Sequence, residues 1–251
     1  MKHTARIRLF LGLAAWIGLA SGFAADSSIK MPWGTIASKG DRHEVRVDQW
    51  PANRLLPLSP PFPNIVSAWI IGDDGTSTQS IHWMFNPDAT QIALGLPPLE
   101  PGRKASIIHL FTTEKTTEHA DSTLVLSALD AKVVGEKAKL ETNPGNHRIG
   151  YWSNPRDHVE WNFETKGYGR YEVEIAFSRS GRAGARLILL IDDQELPVTL
   201  ATTGNWYVYT GQSAGMITIA KPGRHVARVR CVDPAGGAVM NLKALVLRPR
   251  P

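Results

Sequence analysis

Ile149-Gly150-Tyr151-Trp152-Ser153-Asn154-Pro155-Arg156-Asp157-His158-Val159-Glu160-Trp161-Asn162-Phe163 holds two patterns in one short stretch. From Val159 the residues alternate, with Val159, Trp161 and Phe163 apolar and Glu160 and Asn162 polar. That is the period of a half-buried strand. Before it, Ser153-Asn154-Pro155-Arg156-Asp157 is a turn cluster opened by Asn-Pro. Tyr151 and Trp152 stand at the lip of that turn. A strand carrying a loop of aromatic and polar tips is a common way for sheet proteins to present a site.

The same strand-and-turn rhythm runs outward in both directions. The 251 residues are 43% hydrophobic and 20% charged, and the 22 Gly and 17 Pro are scattered rather than clustered. That composition suits many short strands joined by turns. On the N-terminal side, β-rich runs fall at 44–47, 66–71, 80–85, 91–94 and 105–111. Turn signals at Asp73-Asp74-Gly75, Asn86-Pro87-Asp88 and Pro101-Gly102 separate them. Residues 112–122 are polar, carry no large apolar side chain and are expected to be a linker. Further strands are expected at 123–128, 159–163, 169–177, 185–191, 196–200, 206–210, 216–220, 225–232 and 239–247. That number in roughly 125 residues fits a jelly roll. The expectation is an all-β chain of two β-sandwich domains: 25–112, a linker at 113–122, and a jelly roll at 123–251.

Residues 1–24 are expected to be a cleaved export signal. Lys2, Arg6 and Arg8 form a basic head, residues 9–19 an apolar run, and Ser21-Gly22-Phe23-Ala24 a small-residue cleavage point. The run is shorter than the roughly 20 residues that span a bilayer, so no membrane span is expected after cleavage. Cleavage removes three basic residues and lowers the formal charge of +5 by three. No dense Lys/Arg cluster remains to argue for nucleic acid. Cys231 is the single cysteine, so no internal disulfide is possible, and its setting in Val229-Arg230-Cys231-Val232 suits a buried small hydrophobe.

Several segments resemble a known arrangement. Pro32-Trp33-Gly34-Thr35, Lys39-Gly40-Asp41 and Asp48-Gln49-Trp50-Pro51 resemble the segment that joins the catalytic barrel of family 29 α-L-fucosidases to their C-terminal β-sandwich, and Ala68-Trp69-Ile70-Ile71, Ile92-Ala93-Leu94, Leu96-Pro97 and Ile107-Ile108-His109-Leu110 are similar to that sandwich. Ile149-Gly150-Tyr151-Trp152, Val159-Glu160-Trp161, Gly169-Arg170-Tyr171-Glu172-Val173, Thr203-Gly204-Asn205-Trp206, Lys221-Pro222-Gly223-Arg224-His225 and Met240-Asn241-Leu242 are similar to the galactose-binding-like jelly roll that follows it in some members. The same frame recurs in carbohydrate-binding modules of the family 6 type. In the fucosidases the catalytic Asp and Glu lie on a barrel of about 250 residues. No position here matches either, and the chain is expected to lack that barrel and to be no enzyme.

The resemblance implies a sugar site of stacking rings and hydrogen-bonding tips. Trp206 falls where family 6-type modules carry a stacking Trp, and Asn241 where they carry a hydrogen-bonding Asn. Tyr151, Trp152 and the turn ending at Asp157 would form a second wall. Trp161, in phase with Val159 and Phe163, is expected in the core. The positions that hold a structural Ca²⁺ in such modules are Leu129 and Lys243 here, so no metal and no cofactor is expected, with Lys243 filling the space by its charge. Asp73-Asp74 and Asp192-Asp193 fall in turns, and Glu160, Glu172 and Glu174 alternate onto outer faces. No two carboxyls are placed to converge at the roughly 5–9.5 Å that glycoside hydrolysis needs. His109 and His225 are expected to be hydrogen-bonded on strands, and His158 to lie beside the loop.

These features together imply an exported, non-catalytic carbohydrate-binding protein whose partner is a glycan or glycoconjugate. The alternatives are an accessory subunit docking on a separate glycoside hydrolase chain, or a truncated fucosidase. For the docking alternative, Trp33, Trp50, Trp69 and Trp83 are the candidates for an open apolar face, with some of them expected in the core.

Overall fold

The computed structural model describes residues 25–58, 64–72, 78–86, 91–98 and 106–251. The expected export signal and the turns at 73–75, 87–88 and 101–102 lie outside them. The architecture is all-β, with three antiparallel sheets.

The first sheet runs β1 (Ser27–Met31), β2 (Gly34–Lys39), β3 (Arg42–Val47), β9 (Ser106–Thr112), β5 (Ile65–Ile71), β6 (Thr78–Ser80). The second is built on β10 (Thr117–Glu118), β11 (Leu124–Ser127), β21 (Asn241–Arg250), β16 (Gly169–Ser178) and β19 (Val208–Ile219). It continues into β7 (His82–Phe85), β8 (Ile92–Gly95) and β4 (Leu55–Leu58). The hairpin of β13 (Lys139–Asn143) and β14 (Asn146–Gly150) joins it through Ile149 opposite Leu242. The third is β12 (Lys132–Val134), β15 (His158–Thr165), β20 (Gly223–Asp233), β17 (Ala185–Ile191), β18 (Gln194–Leu200).

The second sheet is the middle layer. Alternate residues of its strands enter two different cores. Leu124, Leu126, Tyr171, Val173, Ile175, Phe177, Leu245 and Leu247 pack toward the third sheet with Trp161, Leu187, Leu189 and Val229. Val125, Ala176, Tyr209, Ala244 and Val246 pack the other way, with Trp83, Ile108, Leu110 and other residues of the first sandwich. A sheet buried on both faces needs apolar residues at both parities, which explains the unbroken Leu-Val-Leu run at the end of β21. Each fully buried Val or Leu of these layers contributes about 1.5–3 kcal/mol.

A β-bulge sets the phase of β21. Ala176 pairs with Ala244 and Phe177 with Leu242, so Lys243 is the extra residue. The step lets Leu242 and Leu245 share one core while Ala244 faces the other. Lys243 itself is fully buried. Its Nζ donates to Asn64 Oδ1 at 2.6 Å and lies 5.0 Å from the ring centres of both Phe85 and Tyr209. Burial, and secondarily the charge of Arg148, holds the amine well below the usual lysine range.

Two expectations about outer faces and docking faces are corrected. Glu174 is not on an outer face: it is 8% exposed, because the first sandwich covers that side of β16. Arg248 Nη1 donates to Glu174 Oε2 at 2.9 Å, Arg248 Nη2 to Ser67 Oγ at 2.7 Å, and Ser67 Oγ to Glu174 Oε1 at 2.7 Å. The four tryptophans do not form an open apolar face. Trp83 is fully buried, Trp33 and Trp69 are 9% and 8% exposed, and Trp50 packs partly buried against the same core. The Arg248 guanidinium lies 4.5 Å from the Trp69 ring centre. Trp161 is in the core as expected, its Nε1 donating to Ser127 O at 2.7 Å. Cys231 is 9% exposed on β20, and burial pushes its thiol up to about 11. His225 is bonded on both ring nitrogens, to Asp192 and Lys221 O.

The Glu174–Arg248 pair predicts a specific stability pattern. Glu174→Leu leaves a buried guanidinium without its carboxylate and should cost about 3–5 kcal/mol. Adding Arg248→Met should recover most of it. Urea denaturation of the three variants measures both effects; equal stability of the wild type and Glu174→Leu would contradict the arrangement.

Candidate functional site

One end of the jelly roll carries a cavity of about 340 Å³ lined by Glu141, Arg148, Tyr151, Trp206, Tyr207, Ala238, Met240 and Asn241. Three separate segments supply it: the β13–β14 hairpin, the loop before β19 and the approach to β21. Tyr151, Trp206 and Asn241, 90 residues apart at the extremes of the sequence, meet here.

The floor comes from the hairpin. Asn143-Pro144-Gly145-Asn146 turns the chain, and Glu141 faces Arg148 across the strands. Opposite charges at paired positions stabilise such a ladder. Here the pair is bidentate: Arg148 Nε donates to Glu141 Oε1 at 3.0 Å and Nη2 to Oε2 at 2.7 Å. Both side chains are 15% exposed. Burial works against the guanidinium charge, Tyr209 and Glu141 work for it, and the balance raises the Arg148 pKa. Gly150 lies against this pair, and any Cβ there would collide with Glu141 Oε1 and crowd Asn241 Oδ1.

The next two residues part company. Tyr151 adopts a left-handed backbone with φ 54 and is 61% exposed, with Lys139 Nζ 4.2 Å from its ring centre. Trp152 turns the opposite way and is completely buried in the jelly-roll core. Its carbonyl accepts a hydrogen bond from Val239 N at 2.7 Å. Trp152 therefore walls no cavity: its ring fills the core beneath it. Asp157 is displaced from the expected role too. It is 1% exposed, and its carboxylate accepts backbone N–H bonds from Glu136 at 3.0 Å, Lys137 at 2.9 Å and Ala138 at 2.7 Å. Burial raises its pKa and these three bonds lower it, with the bonds prevailing. His158 is occupied by Glu160, 3.1 Å away.

The loop before β19 is held by its own side chains. Thr202 Oγ1 accepts Gly204 N at 3.0 Å, and Asn205 Oδ1 accepts Tyr207 N at 2.8 Å. Ser178 Oγ donates to Trp206 O at 2.9 Å, and Asn241 Nδ2 donates to the same carbonyl at 3.4 Å. That last bond orients the amide, leaving Oδ1 toward Gly150.

Beneath all this lies Arg179, fully buried. Its Nε donates to Arg182 O at 3.1 Å, Nη1 to Ala238 O at 2.5 Å and to Val239 O, and Nη2 to Pro234 O at 2.8 Å. Its backbone N donates to Thr203 Oγ1 at 2.8 Å, and its carbonyl accepts Thr203 N at 2.9 Å. One side chain thus ties 182, 234 and 238–239 together, and its backbone ties 203. Burial lowers its pKa, and the acceptors are backbone carbonyls rather than a carboxylate.

The sequence reasoning missed Glu141, Arg148 and Tyr207. A signal for the first two was present: the Pro144-Gly145 turn with Glu141 and Arg148 placed symmetrically about it. Among the described residues, no cluster of three or more His, Cys, Asp or Glu is arranged to hold a metal ion. No helix among them is long and apolar enough to cross a membrane.

Fold and cavity together define an all-β protein with a jelly roll that carries an aromatic-rimmed, polar-floored cavity at one loop end. Neither a protein-family model nor a curated protein sequence matches the chain. Among solved structures, a family 35 carbohydrate binding module from Clostridium thermocellum is 19% identical, covering 50% of this chain and 97% of that one, with a TM-score of 0.43. The CBM35 from Cellvibrio japonicus Abf62 is also 19% identical over 52% and 95%, TM-score 0.43. An α-L-fucosidase from Vibrio sp. strain EJY3 is 13% identical, TM-score 0.38. It spans 88% of this chain, which covers 40% of the fucosidase. At identities and scores this low the functional reading rests on the cavity itself.

Two variants test the scaffold of the site. Arg179→Met strands buried carbonyls at about 1–3 kcal/mol each. Its expected result is a lower melting temperature, with faster hydrogen exchange in 202–207 and 234–241. Asp157→Asn should cost about 1–3 kcal/mol at pH 7. The depressed folded pKa of Asp157 contributes stability above its unfolded value near 3.8, lost as the pH falls through the folded pKa. The gap between wild type and variant should therefore close in acid, as pH-dependent denaturation would show.

Proposed function

We propose that the chain is a non-catalytic carbohydrate-binding protein that holds a glycan in the cavity at the end of the jelly roll. The observation that carries this reading is the joint placement of Tyr151, Trp206 and Tyr207 around the Glu141–Arg148 pair and Asn241. Rings offer apolar area at low entropic cost and match the C–H face of a pyranose. The carboxylate, guanidinium and amide offer directional bonds to hydroxyls. The volume sits at the lower end of the roughly 300–1,000 Å³ of small-ligand sites, which suits a short sugar unit or a chain end.

The non-catalytic half of the proposal has its own support. Glu141 is the one carboxylate among the described residues lining the cavity, and it is engaged by Arg148. Glycoside hydrolysis by a carboxylate pair needs a second, across the sugar. The further parts of the proposal are export, supported by the pattern of residues 1–24, and kinship to fucosidase accessory sandwiches, supported by the motif order from Pro32 to Leu242. A docking role on a separate hydrolase chain loses its motive, since Trp33, Trp69 and Trp83 are buried within the first sandwich.

Glycan arrays followed by isothermal titration calorimetry test the site. Trp206→Ala should weaken the best ligand at least tenfold, about 1.4 kcal/mol, with an unchanged circular dichroism spectrum. Full affinity in that variant would remove the cavity from consideration.

A further inference from the structure

Two neighbouring residues of the cavity rim are held from opposite sides. Trp206 O accepts from Ser178 Oγ and Asn241 Nδ2, both in the jelly roll. Tyr207 O accepts from Phe85 N at 3.0 Å, in the first sandwich. The ladder continues from there, with Val208 opposite Met84 and Tyr209 opposite Trp83. Planar peptides with both carbonyls fixed leave the 206–207 backbone little freedom to turn, and the direction of each ring follows from it. A second link reaches the floor. The Tyr209 ring stacks on Trp83, with centres 5.9 Å apart at 15°, and stands edge-to-face with Phe85 at 5.8 Å and 84°. All three rings are buried. The Tyr209 hydroxyl, at the far end of its ring, is buried beside Arg148 and Ser178 without a hydrogen bond to either. It supports Arg148 from beneath by contact.

We infer that the first sandwich is an integral part of the sugar site, with Trp83 and Phe85 on β7 as positioning residues for the Trp206–Tyr207 rim and, through Tyr209, for Arg148 on the floor. The inference rests on the sugar-binding reading above. Neither Trp83 nor Phe85 lines the cavity, so each acts only through what it supports. Ligand-binding loops ordinarily belong to the less stable parts of a fold. Here the loop runs straight into a ladder shared by both halves of the chain, so the rim is ordered before a ligand arrives. Preorganisation of that kind raises affinity by removing an ordering cost from the binding step. The coupling is reciprocal: if the seam between the sandwiches steadies the site, an occupied site steadies the seam by the same factor.

The experiment measures calorimetric affinities of the full chain for gluco-, galacto-, manno- and xylo-configured tetrasaccharides. Trp83→Leu keeps an apolar side chain but loses the flat face against Tyr209, and should weaken the tightest of these sugars about tenfold or more. Trp83→Phe restores a ring and should return affinity to within about threefold of wild type. Ile36→Ala empties an equally buried position of the same core, on a strand that does not pair with β7. It should lower the melting temperature yet leave affinity within about threefold. Hydrogen exchange supplies a readout that needs no variant: saturating sugar should protect the amides of His82–Phe85 more than those of Gly34–Lys39. Near wild-type affinity in Trp83→Leu, a Trp83→Phe no better than Trp83→Leu, or an equal loss in Ile36→Ala overturns the inference and leaves the sugar site standing. So does equal protection of the two strands, which decides the matter if Trp83→Leu does not fold. A wild type that binds none of the sugars overturns the sugar reading and this inference with it.

Discussion

The structure depends on one constraint: the middle sheet has no solvent face along β11, along β16 from Val173 to Ser178 and along β21 from Asn241 to Arg248. Every residue of β21 from Asn241 to Arg248 is buried. Each must therefore be apolar or find its partner inside the protein. Leu242, Leu245 and Leu247 serve the jelly-roll core, and Ala244 and Val246 serve the other. Of the three polar exceptions, Asn241 donates to Trp206 O, while Lys243 and Arg248 are answered from the first sandwich, by Asn64 and by Ser67, and Glu174 pairs with Arg248 within the sheet. The two halves of the chain are thus joined by hydrogen bonds to buried polar groups as well as by packing. Separating them would expose apolar surface and strip those groups of their partners together.

A rigid middle layer also explains where a site can form. Loops at the end of the jelly roll start from strands that cannot shift without disturbing two cores. β16 ends at Ser178 and β21 begins at Asn241, hydrogen-bonded neighbours whose side chains both reach Trp206 O. Arg179 follows directly and gathers the remaining loops by their carbonyls. A ring and an amide distant in sequence are held together through backbone groups, which keeps the lining side chains free to meet a ligand.

This organisation decides what the sequence could reveal. Strand periodicity is local, so 185–191 was legible to the residue and most of the other expected strands to within two, while β1, β2, β4, β12 and the β13–β14 hairpin were not expected. The strands 206–210 and 216–220 are one long β19, because Gly211 and Gly215 look like breaks but sit in the ladder, Gly211 against the Glu174 carboxylate. The jelly roll, the core position of Trp161 and the candidacy of Tyr151, Trp206 and Asn241 were visible. The burial of Glu174 was not. Alternation shows that a residue faces away from one core, and says nothing of a second layer arriving from far along the chain. Residues 112–122 lack large apolar side chains yet hold β10 and a buried Thr113, since polar residues can be covered without being apolar. Asp157 looked like a loop tip because a carboxylate that organises backbone amides has the same composition signature as one that binds a ligand.

The pair Tyr151–Trp152 shows the remaining difficulty most clearly. Both are aromatic, both follow Gly150, and no periodicity separates them. What separates them is one backbone angle. A non-glycine residue at φ 54 carries a cost of about 1–3 kcal/mol, and Tyr151 bears it where a regular strand would not. The cost persists because the residues on either side are fixed independently: Gly150 is pressed between Glu141 and Asn241, and Trp152 is locked in the core with its carbonyl bonded to Val239. With both ends pinned, the chain can place Trp152 inside only by turning Tyr151 out. The exposed ring at the rim is thus a consequence of the buried ring beneath it, and the packing that holds the core also presents the surface that meets a ligand.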